Sequence, residues 1–349
     1  MSFVSNPYVF LPNHVVTSEE LADVITSRHA GHPRLPVIRR IVAQAPARRH
    51  FSQPLDIVMS DRTLEERNRA AVDDVLTMGT AAARGVLAEL DVDPLTIDCI
   101  ITTHSTGDIV PGLDIHLVHE LGLRPDVSRR PITQLGCGGG AHIMVMAHQY
   151  VSASPGSRVL VVGAESLSST IHAADTEIEQ VIYSGLWGDG AVAAVVSSSP
   201  IGPALRIHET WEYLLPDTTT RYRKRVDHSG VHFDSERSAT QSINEMAPAL
   251  RAWLADETAG PWPLDFMVAH PGGLRVMEDL EKQLQLGPDA LRHSRAQFDA
   301  EANLGGPSVL SVLRRTMADP PEHGQAGLAA GFAPGFAVSA MKVSWCDPS

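Results

Sequence analysis

Cysteine is scarce in this chain of 349 residues: Cys99, Cys137 and Cys346 are the only three, and they lie far apart. Three scattered thiols cannot build a disulfide framework, and none has the Cys/His spacing of a zinc site. No apolar run reaches the roughly 20 residues of a membrane span. The opening residues, Met1 to Asn6, show neither the basic segment nor the apolar core of a signal peptide, so the expectation is a soluble, cytoplasmic protein. An excess of positive charge is missing too. The formal net charge is −13, which argues against general nucleic-acid binding and leaves any anionic substrate dependent on a local basic patch. Two stretches offer one: Arg34, Arg39, Arg40, Arg48, Arg49 and His50, and the segment Arg221 to Arg225. For each arginine a solvated surface is the plainer reading. A Gly-x-Ser-x-Gly elbow is absent, because Gly163-Ala164-Glu165-Ser166 breaks the pattern, and that excludes the usual serine hydrolase.

What is present is a core-forming α/β pattern. Hydrophobic residues make up 43% of the chain, enough for one large unit or two ordinary domains. Helical spacing of Leu64, Ala71, Val72, Val75, Leu76, Ala81, Ala82 and Val86 predicts a long helix over 63–90, with Asp61 as its N-cap. Buried strands are predicted at 97–103, 159–162 and 191–196, and helices at 112–123 and 141–151. The second half repeats this order: a strand at 265–269, a helix after Gly272-Gly273, a helix from Ser308, and strands at 327–332 and 336–345. Ile100 precedes Cys137 by 37 residues (137 − 100), and Met267 precedes Asn303 by 36 (303 − 267). The spacing implies a duplicated α/β unit, with a junction in the small-residue and proline stretch Ser197 to Pro203. Residues 1–203 form the first half and 204–349 the second.

Cys137 stands in Gln134-Leu135-Gly136-Cys137-Gly138-Gly139-Gly140-Ala141-His142, just ahead of an apolar helix. A helix N-terminus favours thiolate, and glycine neighbours let a substrate carbonyl approach. Covalent acyl chemistry is one reading; a buried structural cysteine beside a tight turn is the other. His270 ends a strand before a glycine turn, where a side chain can face a site. Asn303, before Gly305-Gly306-Pro307, reads alone as a turn or cap residue. Together they form a chemical set: a sulfur that can hold an acyl group, and two side chains able to donate hydrogen bonds to one oxyanion. That set suits decarboxylation of a malonyl thioester and attack of the enolate on the bound acyl group. Cys99, inside a strand, reads as core, Cys346 as inert, and Asp189 as a turn-fixing residue.

In order along the chain, Gly136-Cys137, Leu186-Trp187-Gly188-Asp189-Gly190-Ala191, His270-Pro271-Gly272-Gly273, Asn303 and Gly331-Phe332-Ala333-Pro334-Gly335 resemble the type III polyketide synthases, the chalcone-synthase-like branch of the thiolase superfamily. His29 to Pro33, Ala47 to Phe51 and Leu214 to Thr218 are most similar to the bacterial tetrahydroxynaphthalene-synthase branch, although His104-Ser105-Thr106-Gly107 lacks the pocket cysteine of that branch. The resemblance covers essentially the whole chain. It implies an αβαβα thiolase-like fold, a homodimer, and direct use of coenzyme A thioesters, malonyl-CoA and an acyl-CoA starter, with no carrier protein, metal or redox cofactor. It implies that Cys137 carries the acyl chain, that His270 keeps it as thiolate, and that His270 and Asn303 stabilise the enolate. A gatekeeper aromatic falls on Trp187, pocket positions on Ser105, Thr106, Thr170, Val231 and Gly305, and a coenzyme A contact on Arg39. Trp187 should narrow the passage, whereas Val231, in place of a second gatekeeper phenylalanine, and Gly305, in place of a serine, should open the pocket. Two alternatives stand beside this reading. One is a single-condensation ketoacyl synthase III or acyltransferase fed by a carrier protein, which the absence of a His-Gln-Ala-Asn run at 270 disfavours. The other is a non-catalytic partner protein, which the intact Cys137, His270 and Asn303 disfavour.

Overall fold

A computed structural model of the chain describes residues 1–43, 46–175, 177–255 and 260–347. The longest helix, Leu64–Glu89, buries Ala71, Val75, Met78, Ala82 and Val86 at three- and four-residue spacing. Its N-cap is Thr63 and not Asp61. The Thr63 hydroxyl accepts from the Glu66 amide while the Glu66 carboxylate accepts from the Thr63 amide. Asp61 has Leu64 three residues on and cannot make that reciprocal cap.

The strands sort their side chains by twos. In Cys99–His104, Arg158–Glu165 and Gly190–Ser197, one alternating set (Ile101, Val159, Val161, Val192, Ala194) packs on the helix Gly139–Ala153. The other set (Ile100, Leu160, Val162, Ala191, Ala193) packs on the helices Leu64–Glu89 and Leu113–Leu121. Both faces are covered, so these strands are almost wholly apolar. The second half does the same. Val268, Ala329 and Met341 face the central helices, and Met267, Leu328 and Ala340 face Ser242–Leu254, Leu274–Leu284 and Arg292–Glu301. Five layers result, with Gly139–Ala153 and Ser308–Ala318 as the middle one. This is the layered, thiolase-like α/β architecture expected from the order of elements.

The half-sheets join into one sheet of ten strands. Ser2–Val4 bridges them, antiparallel to both Gly190–Ser197 and Ala204–Leu214. The chain crosses from one half to the other in the turn between those two strands. Two elements with no clear sequence signal complete the structure around Cys137: the helix Ile178–Leu186 and the hairpin of Tyr222–Asp227 with Gly230–Ser235. Among the described residues no helix is long and apolar enough to cross a membrane.

Candidate active site

The two central helices begin back to back. A β-carbon on Gly140 would stand 2.1 Å from the carbonyl oxygen of Gly306, so only glycine lets the helix starts meet. Cys137 sits in the one-turn helix Gly136–Gly138 that runs into Gly139–Ala153. Asn303 leads into the facing helix, after Ala302 with φ +65° and ψ −169°, a conformation costly for any residue but glycine. That backbone is held by Gln297, whose Nε2 donates to the Ala302 carbonyl at 3.0 Å, and by Glu301, which pairs with Arg315. Asn303 Nδ2 then lies 3.9 Å from Cys137 Sγ. Asn303 Oδ1 is 4.0 Å from the sulfur and accepts from the Gly305 amide at 2.8 Å, which engages the oxygen and leaves the NH2 group free to donate. His270 follows the strand Phe266–Ala269, with its amide donating to the Ala330 carbonyl at 2.9 Å. Its ring is buried, and neither ring nitrogen has a partner among the described residues. An unpaired buried polar group costs about 1–3 kcal/mol. Cys137, His270 and Asn303 line one cavity of about 110 Å³.

Burial dominates the electrostatics. It pushes the Cys137 thiol up to about 12, against a smaller opposing effect of the Asn303 hydrogen bond, and the nearby Glu165 adds to the rise. Burial alone brings the His270 imidazole down to about 3. These shifts are the cost each group bears when charged by itself. The expectation of a standing thiolate at a helix N-terminus meets that cost. A proton moved from sulfur to imidazole would instead create two opposite charges in one cavity, which attract strongly at low dielectric. Cys137 is only partly buried and lines the cavity, so solvent entering it would soften the penalty.

The pocket positions divide between two cavities. Gly305 and Trp187 line the Cys137 cavity, and Ser105 lines both it and a second cavity of about 420 Å³. Thr106, Thr170 and Val231 line the second one only. Ser105 and Thr106 are fastened to a buried carboxylate: each donates its amide and its hydroxyl to Glu165, at 2.8 to 3.1 Å. Arg39 is exposed on the helix Leu35–Ala43 and lines neither cavity. Val231 does not leave the side opposite Trp187 open. Phe233, two residues along the same strand and so on the same face, meets Trp187 edge-on at 4.8 Å and closes it. Arg49 is not a surface cation but fully buried, donating to the carbonyls of Ser184, Gly185 and Pro46. Cys99 is core, and Asp189 accepts from the amides of Ser52 and Ser168, so it ties two other segments together and does not fix its own turn as expected.

Residues 52–200 match "Chalcone and stilbene synthases, N-terminal domain", and residues 206–345 match the C-terminal domain of the same family. The chain belongs to the chalcone and stilbene synthase family. It is a type III polyketide synthase, an enzyme of the acyltransferase class. It is 31% identical to the 1,3,6,8-tetrahydroxynaphthalene synthase of Streptomyces coelicolor, covering 99% of this chain and 92% of that one. It is 28% identical to the phloroglucinol synthase of Pseudomonas fluorescens, over 99% of each. The crystal structure of the Streptomyces coelicolor tetrahydroxynaphthalene synthase superposes with a TM-score of 0.94 at 31% identity, and that of a germicidin synthase from Streptomyces coelicolor with 0.91 at 29%, each over 99% of both chains.

In this synthase the residues that sequence reasoning missed are mostly aromatic. Tyr183 stacks on Trp187 with ring centres 5.0 Å apart, and Tyr222, Phe332 and Phe336 complete the cavity wall. Two signals could have found them. Tyr183 precedes Trp187 by four residues, one helical turn, and Phe233 shares a strand face with Val231. Glu165 was visible only as part of a failed serine-hydrolase pattern.

Proposed function

We propose that this synthase elongates a Cys137-bound acyl starter by iterative decarboxylative condensation with malonyl-CoA and releases a cyclised aromatic or pyrone product. In this reading the half up to residue 203 supplies the nucleophile, and the half from 204 supplies the base and the oxyanion donor. Cys137 Sγ gives its proton to His270 and attacks the starter thioester; the carbon–sulfur bond to coenzyme A breaks, and coenzyme A leaves as the thiol with that proton. Malonyl-CoA then loses CO2. The electron pair left behind becomes an enolate whose oxygen takes hydrogen bonds from Asn303 Nδ2 and His270. The enolate carbon attacks the Cys137 thioester, sulfur departs, and the lengthened chain is carried on coenzyme A. The second cavity, joined to the first at Ser105, is the room into which that chain grows, and Thr106, Thr170 and Val231 shape it. Trp187 narrows the entry, and Arg39, exposed and cationic, meets the coenzyme A phosphates. The substrates are thioesters of coenzyme A, and no further cofactor is invoked. The enzyme works as a homodimer in the cytoplasm; a 95% exposed Val110, next to a residue lining the second cavity, supports a covered surface there.

One observation carries this reading: a buried histidine with both ring nitrogens unpaired shares a cavity with a cysteine and an amide donor whose oxygen is already engaged. The test is mass spectrometry of products from purified protein given malonyl-CoA alone, then with a panel of acyl-CoA starters. Aromatic or pyrone products are expected. Acylation of Cys137 only from an acylated carrier protein would favour the single-condensation alternative, and no malonyl-CoA decarboxylation would favour a non-catalytic one.

A further inference from the structure

We infer that the cavity beside Cys137 takes a slim, uncharged aliphatic acyl group as starter in preference to a ring or a charged group, and that Tyr183 is a residue that sets this limit. The inference rests on Cys137 being the acylated residue, and deepens that reading by naming a class of starter. Three observations carry it. The first is size. The cavity measures about 110 Å³, and an engineered cavity of about 150 Å³ takes up benzene, so a benzoyl ring exceeds the room beside the sulfur, whereas a slim chain can pass on at Ser105. The second is what fills the space. Of the chain's eighteen aromatic side chains (five Trp, five Tyr, eight Phe), six line this one cavity. Tyr183, Trp187 and Phe233 form a packed triad, with ring centres 5.0 Å apart for the Tyr183–Trp187 pair, 4.8 Å for Trp187–Phe233 and 6.4 Å for Tyr183–Phe233. Tyr183 stacks on the indole, and Phe233 packs on an adjoining side of it. Trp187 is thus held by two rings, and Tyr183 is the one stacked on its face.

The third observation is charge. Among the described residues no Lys or Arg lines the cavity, and the one acidic residue that does, Asp234, pairs with Arg225 at 3.7 Å. A starter ending in a carboxylate would stay in an apolar chamber with no cation in its wall to pair with. The malonyl carboxylate escapes that cost because it leaves as CO2.

The experiment follows acylation of Cys137 by intact-protein mass spectrometry, without malonyl-CoA, using acetyl-, butyryl-, benzoyl- and succinyl-CoA. In the wild type, acetyl and butyryl should transfer at least about tenfold faster than benzoyl and succinyl. Tyr183→Ala should raise the benzoyl-to-acetyl ratio by about tenfold or more and leave succinyl excluded, because charge and not size bars it. Equal wild-type rates for benzoyl and acetyl, or a ratio unchanged in the variant, would overturn the inference. Should Tyr183→Ala fail to fold, Tyr183→Leu removes the stacked ring while keeping the core filled, and is read in the same way. Addition of malonyl-CoA separates the two levels. Acylation with the expected preference but no chain extension would count against the polyketide reading and leave the starter class standing. Absence of acylation by any thioester would remove Cys137 as the acyl carrier.

Discussion

At the scale of single residues, the site runs on groups that burial keeps neutral. Cys137 is pushed up to about 12 and His270 brought down to about 3, so each needs the other in order to ionise. His270→Gln therefore leaves a lone thiol whose pKa stays raised. Iodoacetamide should capture Cys137 at pH 7 at least about tenfold more slowly than in wild type, with the rate climbing as pH rises. Equal rates at neutral pH would remove His270 as the base. Asn303→Ala takes away the one amide held toward the sulfur and should lower malonyl-CoA decarboxylation, followed by CO2 release, about a hundredfold. A near-normal rate would reduce Asn303 to a turn residue. These three side chains were legible in the sequence because Cys137 and Asn303 stand at glycine-rich breaks before apolar helices and His270 at one after an apolar strand. The aromatic wall was not. Phe233 and Tyr183 carry no local signature, and only the docking of a hairpin and a helix from distant parts of the chain brings them to Cys137.

At the scale of elements, the helix starts do the positioning. Gly140 against Gly306 fixes the distance between two helices 166 residues apart in sequence, and the strained Ala302 aims Asn303. The helix Ile178–Leu186, which carries Tyr183, is held at its far end by a single buried guanidinium. Arg49 donates to the carbonyls of Ser184 and Gly185 and to the Ser18 hydroxyl, and burial lowers its pKa to about 10. Arg49→Met should orphan those acceptors and cost about 3 kcal/mol or more, read from the urea midpoint; a loss under about 1 kcal/mol would mean water replaces the arginine. Much of this scale could be read beforehand. Strands with both faces buried announce themselves as unbroken apolar runs, and the long helix by its spacing. The N-cap was misplaced by two residues because acidic Asp61 mimics a cap, while Thr63 with Glu66 makes one. Arg49 was hidden, since a sequence shows charge but not the carbonyls that will surround it.

At the scale of the whole molecule, the duplicated order of strands and helices becomes one sheet bridged by three residues at the N-terminus, Ser2–Val4. The order was visible in the spacings of 37 and 36 residues; the bridge was not, because so short a strand has no pattern of its own. Val110 belongs to this scale as well. An apolar side chain 95% exposed beside a cavity wall asks for a partner surface. If a second copy covers it, wild type should sediment as a dimer and Val110→Asp should shift it toward monomer. A wild-type monomer at micromolar concentration would remove that surface from the account. The joint between Trp187 and Asn303 bears on how such an enzyme can change. The Asn303 amide donates to the Leu186 carbonyl at 2.8 Å, and the Gly188 amide donates to the Asn303 carbonyl at 3.0 Å. The backbone that carries Trp187, the proposed gate, and the backbone that carries Asn303, the proposed oxyanion donor, are thus one ladder. Mutations that shift residues 186–188 to admit a larger starter will disturb turnover together with selectivity. Side-chain exchange at Tyr183 or Phe233 alters the wall and leaves the ladder whole, so divergence among such enzymes, natural or designed, has its open route there.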